Sequence, residues 1–215
     1  MFRKYLSVVM SSNKKYLYRF VKRLFDIFAS LIGIVLLIPT TVIIGLAIKI
    51  EDGGPIFFKQ QRVTKNGKLF NLIKFRSMVV NAEQIRDTMD NENEMDGPVF
   101  KVKNDKRITK VGNITRKIGI DELPQFINVL LGDMSVVGPR PALPREVKEY
   151  TEEDKKRLKV KAGITCIWQV QPNRNSISFE KWMEMDSEYV DKCSIMLDIS
   201  IMFKTIATIF RAEGE

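Results

Sequence analysis

The side chains that could carry chemistry in this chain are carboxylates, lysines and arginines, because the 215-residue sequence contains no histidine. Without imidazole, a serine or cysteine nucleophile has no histidine base and a metal has no histidine ligand. Asp121 and Glu122 are adjacent acids, and Arg116 precedes them. Arg140 follows them within Pro139-Arg140-Pro141. Two acids between two arginines indicate phosphate chemistry, with an open alternative in which the acids only cap a helix.

The elements predicted around these residues would place the acids at a helix N-terminus. Ile108–Lys117 is a predicted helix, and a second one opens at Asp121-Glu122 with Pro124 in its first turn. Its apolar face continues to Leu131, and Gly132 caps it. A helix N-terminus suits an acid and a phosphate alike, because of its free N–H groups and its dipole.

The rest of the chain predicts a mixed, mainly helical domain. Two β-rich runs around Asn66-Gly67 predict a hairpin with a tight primed turn. Neither a P-loop nor a G-x-G-x-x-G motif occurs, so those two nucleotide sites are not supported. The other predicted elements are a helix and mobile loop over 81–98, a charged helix over 148–161, a strand over 164–170, a helix over 179–189 and an apolar helix over 195–210.

An uncharged apolar segment of 22 residues runs from Ile27 to Ile48. As a helix it is about 33 Å long, which matches a hydrocarbon core of about 30 Å. No small-residue cleavage site follows it, which excludes a signal peptide. Pro39 predicts a bend or break, and basic residues flank both ends, which favours both ends facing the cytoplasm. The pattern alone fits a re-entrant hairpin and a spanning helix equally well.

The charge of the chain is concentrated near this segment. The chain has 35 Lys and Arg against 26 Asp and Glu, and residues 1–50 hold eight of the basic residues with one acid, Asp26. A basic excess beside an apolar segment predicts an anionic membrane as partner and no nucleic acid. Cys166 and Cys193 are too few for a secreted disulfide framework, which favours a reducing compartment.

Several stretches together are similar to one known family. They are Lys22–Asp26, the apolar run with its central proline, Gly54–Phe58, Lys74–Met78, Asp121–Gln125, Gly132–Pro141, Gly163–Thr165 and Trp168–Val170. In this order and spacing they resemble the bacterial sugar transferases, the monotopic polyprenyl-phosphate phosphoglycosyl transferases, from about residue 20 to the C-terminus. The family often has Ser-Pro at its membrane break, whereas this chain has Ile38-Pro39, so a shallower bend is expected.

The resemblance implies an α+β fold: a mostly helical, membrane-associated domain with a β-hairpin and an N-terminal re-entrant membrane helix. We expect a basic N-terminal segment over 1–21, a re-entrant helix over 22–50 broken near Pro39, and a cytoplasmic catalytic domain with interfacial helices over 51–215. The implied activity transfers a sugar 1-phosphate from a UDP-sugar to polyprenyl (undecaprenyl) phosphate and releases UMP. It would act with Mg²⁺ at the cytoplasmic face of the bacterial inner membrane, as the initiating step of exopolysaccharide or other surface glycan assembly.

The resemblance also implies roles for individual residues. Asp121 would be the nucleophile that forms a covalent phosphosugar intermediate, with Glu122 as its partner and both acids as Mg²⁺ ligands. The residues expected to bind substrate phosphates are Arg116, Arg140, Lys74 and Arg76. Those expected to contact nucleotide or sugar are Gln169 and Arg174.

Two alternatives stay open at the sequence level. The first is a glycosyltransferase that moves only the sugar and releases UDP. The second is a membrane-anchored, non-catalytic scaffold that recruits other glycan enzymes. A homo-oligomer, the sugar and the polyprenol length are also left open.

Overall fold

Helices make up most of the architecture, together with two small sheets. The computed structural model describes residues 2–102, 104–172 and 174–210, with side chains from residue 16 onward except at 90, 175 and 210. The helices are α1 Phe2–Asp52, α2 Ala82–Arg86, α3 Lys110–Lys117, α4 Gln125–Leu131, α5 Pro144–Lys148, α6 Phe179–Lys192 and α7 Ile195–Phe210. The strands are β1 Phe57–Val63, β2 Leu69–Phe75, β3 Met134–Val137 and β4 Ala162–Thr165. The predicted mainly helical α+β composition is confirmed. Of the predicted ranges 1–21 and 51–215, residues 1, 103, 173 and 211–215 lie outside the described residues.

β1 and β2 form the predicted hairpin. They pair antiparallel, with Phe57 opposite Phe75 at the open end. Asn66 and Gly67 have positive φ angles of 59° and 77°, as a tight primed turn requires. The hairpin is therefore confirmed, and its second strand carries Lys74 toward the candidate site.

β3 and β4 form a parallel pair that the sequence pattern does not reveal. Met134 lies opposite Ala162. All residues of β3 are buried, so the strand lacks the polar–apolar alternation that marks a half-exposed strand. The strand predicted over 164–170 is wrong in its bounds, because β4 ends at Thr165 and Trp168–Val170 forms a 3₁₀ turn.

α1 continues through Pro39 as one helix. The sequence predicts a break there within 22–50, but the helix is continuous from Phe2 to Asp52. The hydroxyls of Thr40 and Thr41 donate to carbonyls of the preceding turn at distances of 2.7 to 3.0 Å. These bonds satisfy carbonyls in the turn where proline disturbs the helical pattern. The structure thus corrects the predicted break, while the re-entrant path through a membrane stays a prediction.

Both halves of α1 contact the same body of the protein. Before Pro39, the Arg23 guanidinium donates to two carbonyls at the end of α4, at 2.7 and 2.8 Å. Asp26 Oδ1 accepts the Val136 N–H of β3 at 3.0 Å. After Pro39, the Glu51 carboxylate accepts the first two N–H groups of α3, at 2.7 and 3.1 Å. The two flanks of the apolar segment are therefore attached to one folded unit.

The predictions for the remaining helices differ in accuracy. The helices predicted over 108–117, 179–189 and 195–210 are confirmed as α3, α6 and α7. The charged helix predicted over 148–161 is wrong: α5 ends at Lys148, and Asp154–Lys159 forms a 3₁₀ turn. In the segment 81–98 the helix is the short α2, and the Asp96 carboxylate accepts the first N–H of α6 at 2.9 Å.

Two apolar clusters form the core. The larger one joins β2, α4, β3, α6 and α7. In the smaller one the rings of Trp168 and Trp182 stack at 4.2 Å between centroids. Cys166 is buried and Cys193 half-buried, and both are free thiols.

Candidate active site

The acid pair lies in a short 3₁₀ turn between α3 and α4. Gly119, at a φ of 69°, caps the turn Ile120–Glu122, and Pro124 precedes α4. Asp121 is 7% exposed, whereas the Glu122 side chain is 29% exposed. The pair therefore precedes α4 instead of occupying its first turn, and Glu122 is the more accessible acid.

A shallow, open cleft lies next to Glu122, with about 320 Å³ of empty space when the solvent at its mouth is included. It lies where β1, β2, α4 and the loop after β3 meet. Three cationic side chains and one carboxylate face it. Its lining consists of Arg62, Leu72, Lys74, Glu122, Gln125, Arg140, Pro141, Gly163 and Ile164. This charge balance suits an anionic ligand.

Lys74 connects the cleft to the predicted nucleophile. Burial lowers the pKa of the Lys74 ammonium to about 8, Asp121 opposes this shift, and Arg116, Arg62 and Arg140 add to it. These opposing effects arise because all four charged groups lie close to the ammonium. The structure thus brings together predicted residues that are far apart in sequence.

Arg140 enters the cleft from the loop after β3. Its Nη1 lies 3.7 Å from Glu122 Oε1, and its side chain is 34% exposed. The loop is packed against β4 so tightly that a Cβ atom on Gly163 would lie 2.1 Å from the Gly138 nitrogen. A side chain at that position would displace the start of the loop that carries Arg140. Glycine there keeps Arg140 close to Glu122.

Arg62 is a site residue that the sequence predictions omit. Burial and then the charge of Arg140 lower its pKa to about 10, and it lines the cleft. Its Nε and Nη2 donate to Gln60 Oε1 at 3.1 and 2.7 Å. The signal that could have identified Arg62 is the register of the hairpin. Because Lys74 pairs with Phe58, and alternate residues share a face, Arg62 and Lys74 must face the same side.

Three predicted site residues do not line the cleft. Arg76 forms an ion pair with Asp52 and donates to the Pro55 carbonyl at 2.7 Å, so it joins the end of α1 to β2. Gln169 accepts a hydrogen bond from Cys166 Sγ at 3.1 Å. Arg174 Nη1 donates to the Gln169 carbonyl at 3.3 Å. These contacts give Arg76 a structural role and place Gln169 and Arg174 beside the smaller core cluster.

The acid pair has the donor chemistry that Mg²⁺ needs when a phosphate ligand is also present. In the part of the chain that the structure describes, no group of three or more His, Cys, Asp or Glu could hold a metal. Mg²⁺ in phosphoryl-transfer sites is commonly held by one or two carboxylates together with substrate phosphates. Asp121 and Glu122 fit that requirement, and Glu122 is the one that faces the cleft.

These groups define a class of protein: one with a cationic cleft that suits an anionic ligand and a long apolar helix on the same body. The sequence model described as bacterial sugar transferase matches residues 17–212. The chain belongs to this family.

Individual relatives are similar over nearly all of the chain. It is 44% identical to a galactosyl transferase CpsE of Streptococcus agalactiae, covering 97% of this chain and 46% of that protein. It is 43% identical to an undecaprenyl-phosphate galactose phosphotransferase of Salmonella typhimurium, covering 91% and 42%. It is 43% identical to the sugar transferase EpsL of Bacillus subtilis, covering 90% and 89%. The chain thus spans less than half the length of the first two relatives and most of the third.

Proposed function

We propose that this protein transfers a sugar 1-phosphate from a UDP-sugar to polyprenyl phosphate and releases UMP, as the first step of surface glycan assembly. The observation that carries the proposal is the cleft in which Glu122 meets Arg62, Lys74 and Arg140, with Asp121 next to Lys74. Family membership and the name of the Salmonella relative support the same reaction class.

In the first step, an oxygen of the Asp121 carboxylate attacks the sugar-linked phosphorus of the UDP-sugar. A new oxygen–phosphorus bond forms, and the bond to the UMP oxygen breaks with its electron pair leaving on UMP. The product is an acyl phosphate that joins Asp121 to the sugar phosphate. No base is required, because a carboxylate is ionised at neutral pH.

In the second step, a phosphate oxygen of the polyprenyl phosphate attacks the same phosphorus. The acyl phosphate bond breaks, and Asp121 returns to a carboxylate. Both substrates are anionic, so Arg62, Lys74 and Arg140 reduce the repulsion between the converging phosphates. Arg116 contributes positive charge from the end of α3.

Glu122, together with Asp121 and substrate phosphate oxygens, would hold Mg²⁺ in this cleft. When bound, the ion neutralises charge that develops on the phosphate oxygens. Glu122 itself orients a phosphate partner, the Arg140 guanidinium, whose Nη1 lies 3.7 Å from Glu122 Oε1.

The acceptor is a lipid, and the protein has surfaces that suit a membrane. In the described residues one helix is long and apolar enough to cross a bilayer, over Tyr16–Asp52, and only 22% of its most apolar window is buried. Met196 and Phe203 of α7 are 77% and 70% exposed. Apolar faces on two helices support attachment to a membrane. In this proposal the membrane is the inner membrane and the protein lies at its cytoplasmic face.

A nucleotide-release assay tests the proposal. Purified protein is mixed with each of several UDP-sugars and Mg²⁺, with and without polyprenyl phosphate. Without lipid we expect about one UMP per active site and a hydroxylamine-labile sugar-phosphate adduct on the peptide that contains Asp121. Asp121→Asn should abolish both, whereas Glu122→Gln should slow turnover and leave the adduct on Asp121.

Other outcomes of this assay assign other functions. Release of UDP indicates a glycosyltransferase that moves only the sugar. No nucleotide release with any donor, combined with membrane attachment, indicates a scaffold. An adduct on Glu122, the more exposed acid, would identify Glu122 as the nucleophile.

A further inference from the structure

The loop that carries Arg140 is anchored at both ends by hydrogen bonds that its backbone carbonyl groups accept. The prolines on both sides of Arg140 have no N–H to donate. The Gly163 N–H of β4 donates to the Pro139 carbonyl at 2.9 Å, and the Val63 N–H of β1 donates to the Ala142 carbonyl at 2.9 Å. The loop is therefore attached at each end to a different strand.

Two arginine side chains hold the two carbonyls between these ends. Arg62 Nη1 donates to the Pro141 carbonyl at 2.9 Å. Arg157 Nη2 donates to the Arg140 carbonyl at 2.8 Å. Arg62 also lines the cleft, so a substitution of Arg62 would change the loop contact and the cleft surface together. Arg157 comes from the 3₁₀ turn after α5, and its side chain is 6% exposed.

Arg157 is itself fixed by buried partners. Its Nη2 lies 2.7 Å from Asp186 Oδ2, and the Asp186 side chain is 1% exposed. Its Nη1 donates to the Tyr150 hydroxyl at 2.6 Å. A planar guanidinium held at both of its terminal nitrogens has little freedom to rotate. The position of the Arg140 carbonyl is therefore tied to α6, which supplies Asp186.

We infer that Arg157 is a positioning residue for the transfer reaction: from its buried ion pair with Asp186, it fixes the Arg140 backbone and thereby the direction of the Arg140 guanidinium. The inference rests on the proposed function, in which Arg140 binds a substrate phosphate. An arginine that binds two phosphate oxygens must be aimed accurately. A displacement of about 1 Å in such a group can lower the rate on the order of 100-fold.

The test requires a variant that removes the contact and still folds. Loss of Arg157 alone would leave Asp186 as an uncompensated buried charge. The double variant R157M/D186L removes both charges with apolar side chains, a replacement that buried ion pairs often tolerate. Its matched control is K156Q/D191N, because Lys156 and Asp191 join the same two elements at the surface, at 2.5 Å.

The first measurement is hydrogen exchange of a peptide that covers residues 138–143. We expect faster exchange in R157M/D186L and wild-type exchange in K156Q/D191N, at similar midpoints of thermal unfolding. If the double variant does not fold, Arg157→Lys keeps the buried charge but lacks the planar fork, and should also accelerate exchange. Wild-type exchange in the folded variant would overturn the inference whether or not the protein has transferase activity.

The second measurement separates positioning from general structural damage. R157M/D186L should lower kcat/KM for UMP formation on the order of 100-fold. In an Arg140→Lys background, the same change should lower it by no more than about twofold, because lysine is a flexible point charge that depends less on backbone direction. Losses that multiply in the two backgrounds would refute the inference. A wild-type protein that releases no UMP would refute the proposed function instead.

Discussion

Among the residues of the cleft, Arg140 has the proposed role with the strictest geometric requirement. A guanidinium can donate to two phosphate oxygens at once, and a lysine ammonium cannot reproduce that planar fork. We expect Arg140→Lys to keep the fold and to lower kcat/KM by about 10- to 100-fold, which corresponds to the loss of one charge-assisted hydrogen bond. Steady-state UMP release measures this effect. Arg145→Lys, on the exposed side of α5, is the control, and an unchanged kcat/KM for Arg140→Lys would exclude two-oxygen binding.

The lowered pKa of Lys74 predicts that substrate capture depends on pH. Burial lowers its pKa to about 8, so the ammonium is charged below that pH and neutral above it. Because both substrates are anionic, kcat/KM should fall as the pH rises through about 8, and this parameter reports the free enzyme. Lys74→Arg should move the fall to higher pH, since a guanidinium stays charged. A fall at the same pH in Lys74→Met would assign it to another group.

Site residues could be predicted from the sequence where a motif contains them. Asp121, Glu122 and Arg140 lie in recognisable stretches, and the structure brings Glu122 and Arg140 to one cleft. Arg157 gives no such signal, because its role depends on a carbonyl that only the folded loop presents to it. Arg76 also belongs to a motif, but it forms an ion pair with Asp52 and does not line the cleft, so its role in phosphate binding stays a prediction.

At the scale of elements, local signals predict the hairpin and most helices but not the contacts between distant segments. The Asn66-Gly67 turn and the Gly132 cap are encoded locally, and both are confirmed by positive φ angles. The parallel pairing of β3 with β4 joins segments that are distant in sequence. The helix predicted over 148–161 fails because α5 ends at Lys148, where charged residues alone do not specify a helix.

Attachment of α1 to the body depends on Asp26. Its Oδ1 accepts hydrogen bonds from the Val136 N–H and the Ser135 hydroxyl, each at 3.0 Å, and Asp26 is 3% exposed. Asp26→Ala should lower the free energy of unfolding by about 1–3 kcal/mol, because a buried N–H loses its acceptor. Thermal unfolding in detergent measures this loss. Asp191→Ala, in an exposed ion pair, should change it by less than about 0.5 kcal/mol, and equal effects would contradict this role.

At the scale of the whole molecule, the contacts of α1 constrain how the protein meets a membrane. Arg23 contacts the end of α4, and Glu51 contacts the start of α3. These residues lie on opposite sides of the apolar segment, yet both are bound to the same folded body. A simple spanning helix would place them on opposite faces of the bilayer and break one set of contacts. These contacts therefore favour an arrangement in which the continuous helix keeps both flanks of the apolar segment on one face of the bilayer.

We predict that the N-terminus and the folded body share the cytoplasmic side. In a Cys193→Ser background, where the remaining Cys166 is 2% exposed, single cysteines at Ser11 and Lys155 would be treated with a membrane-impermeant maleimide. We expect both positions to be protected in intact cells and both to react after permeabilisation, because the attachments on either side of Pro39 hold the two flanks on one face. A periplasmic protein with an exposed cysteine controls for reagent access. Labelling at Ser11 but not at Lys155 in intact cells would mean that the segment spans the membrane and that the contacts of Arg23 or Glu51 are broken there.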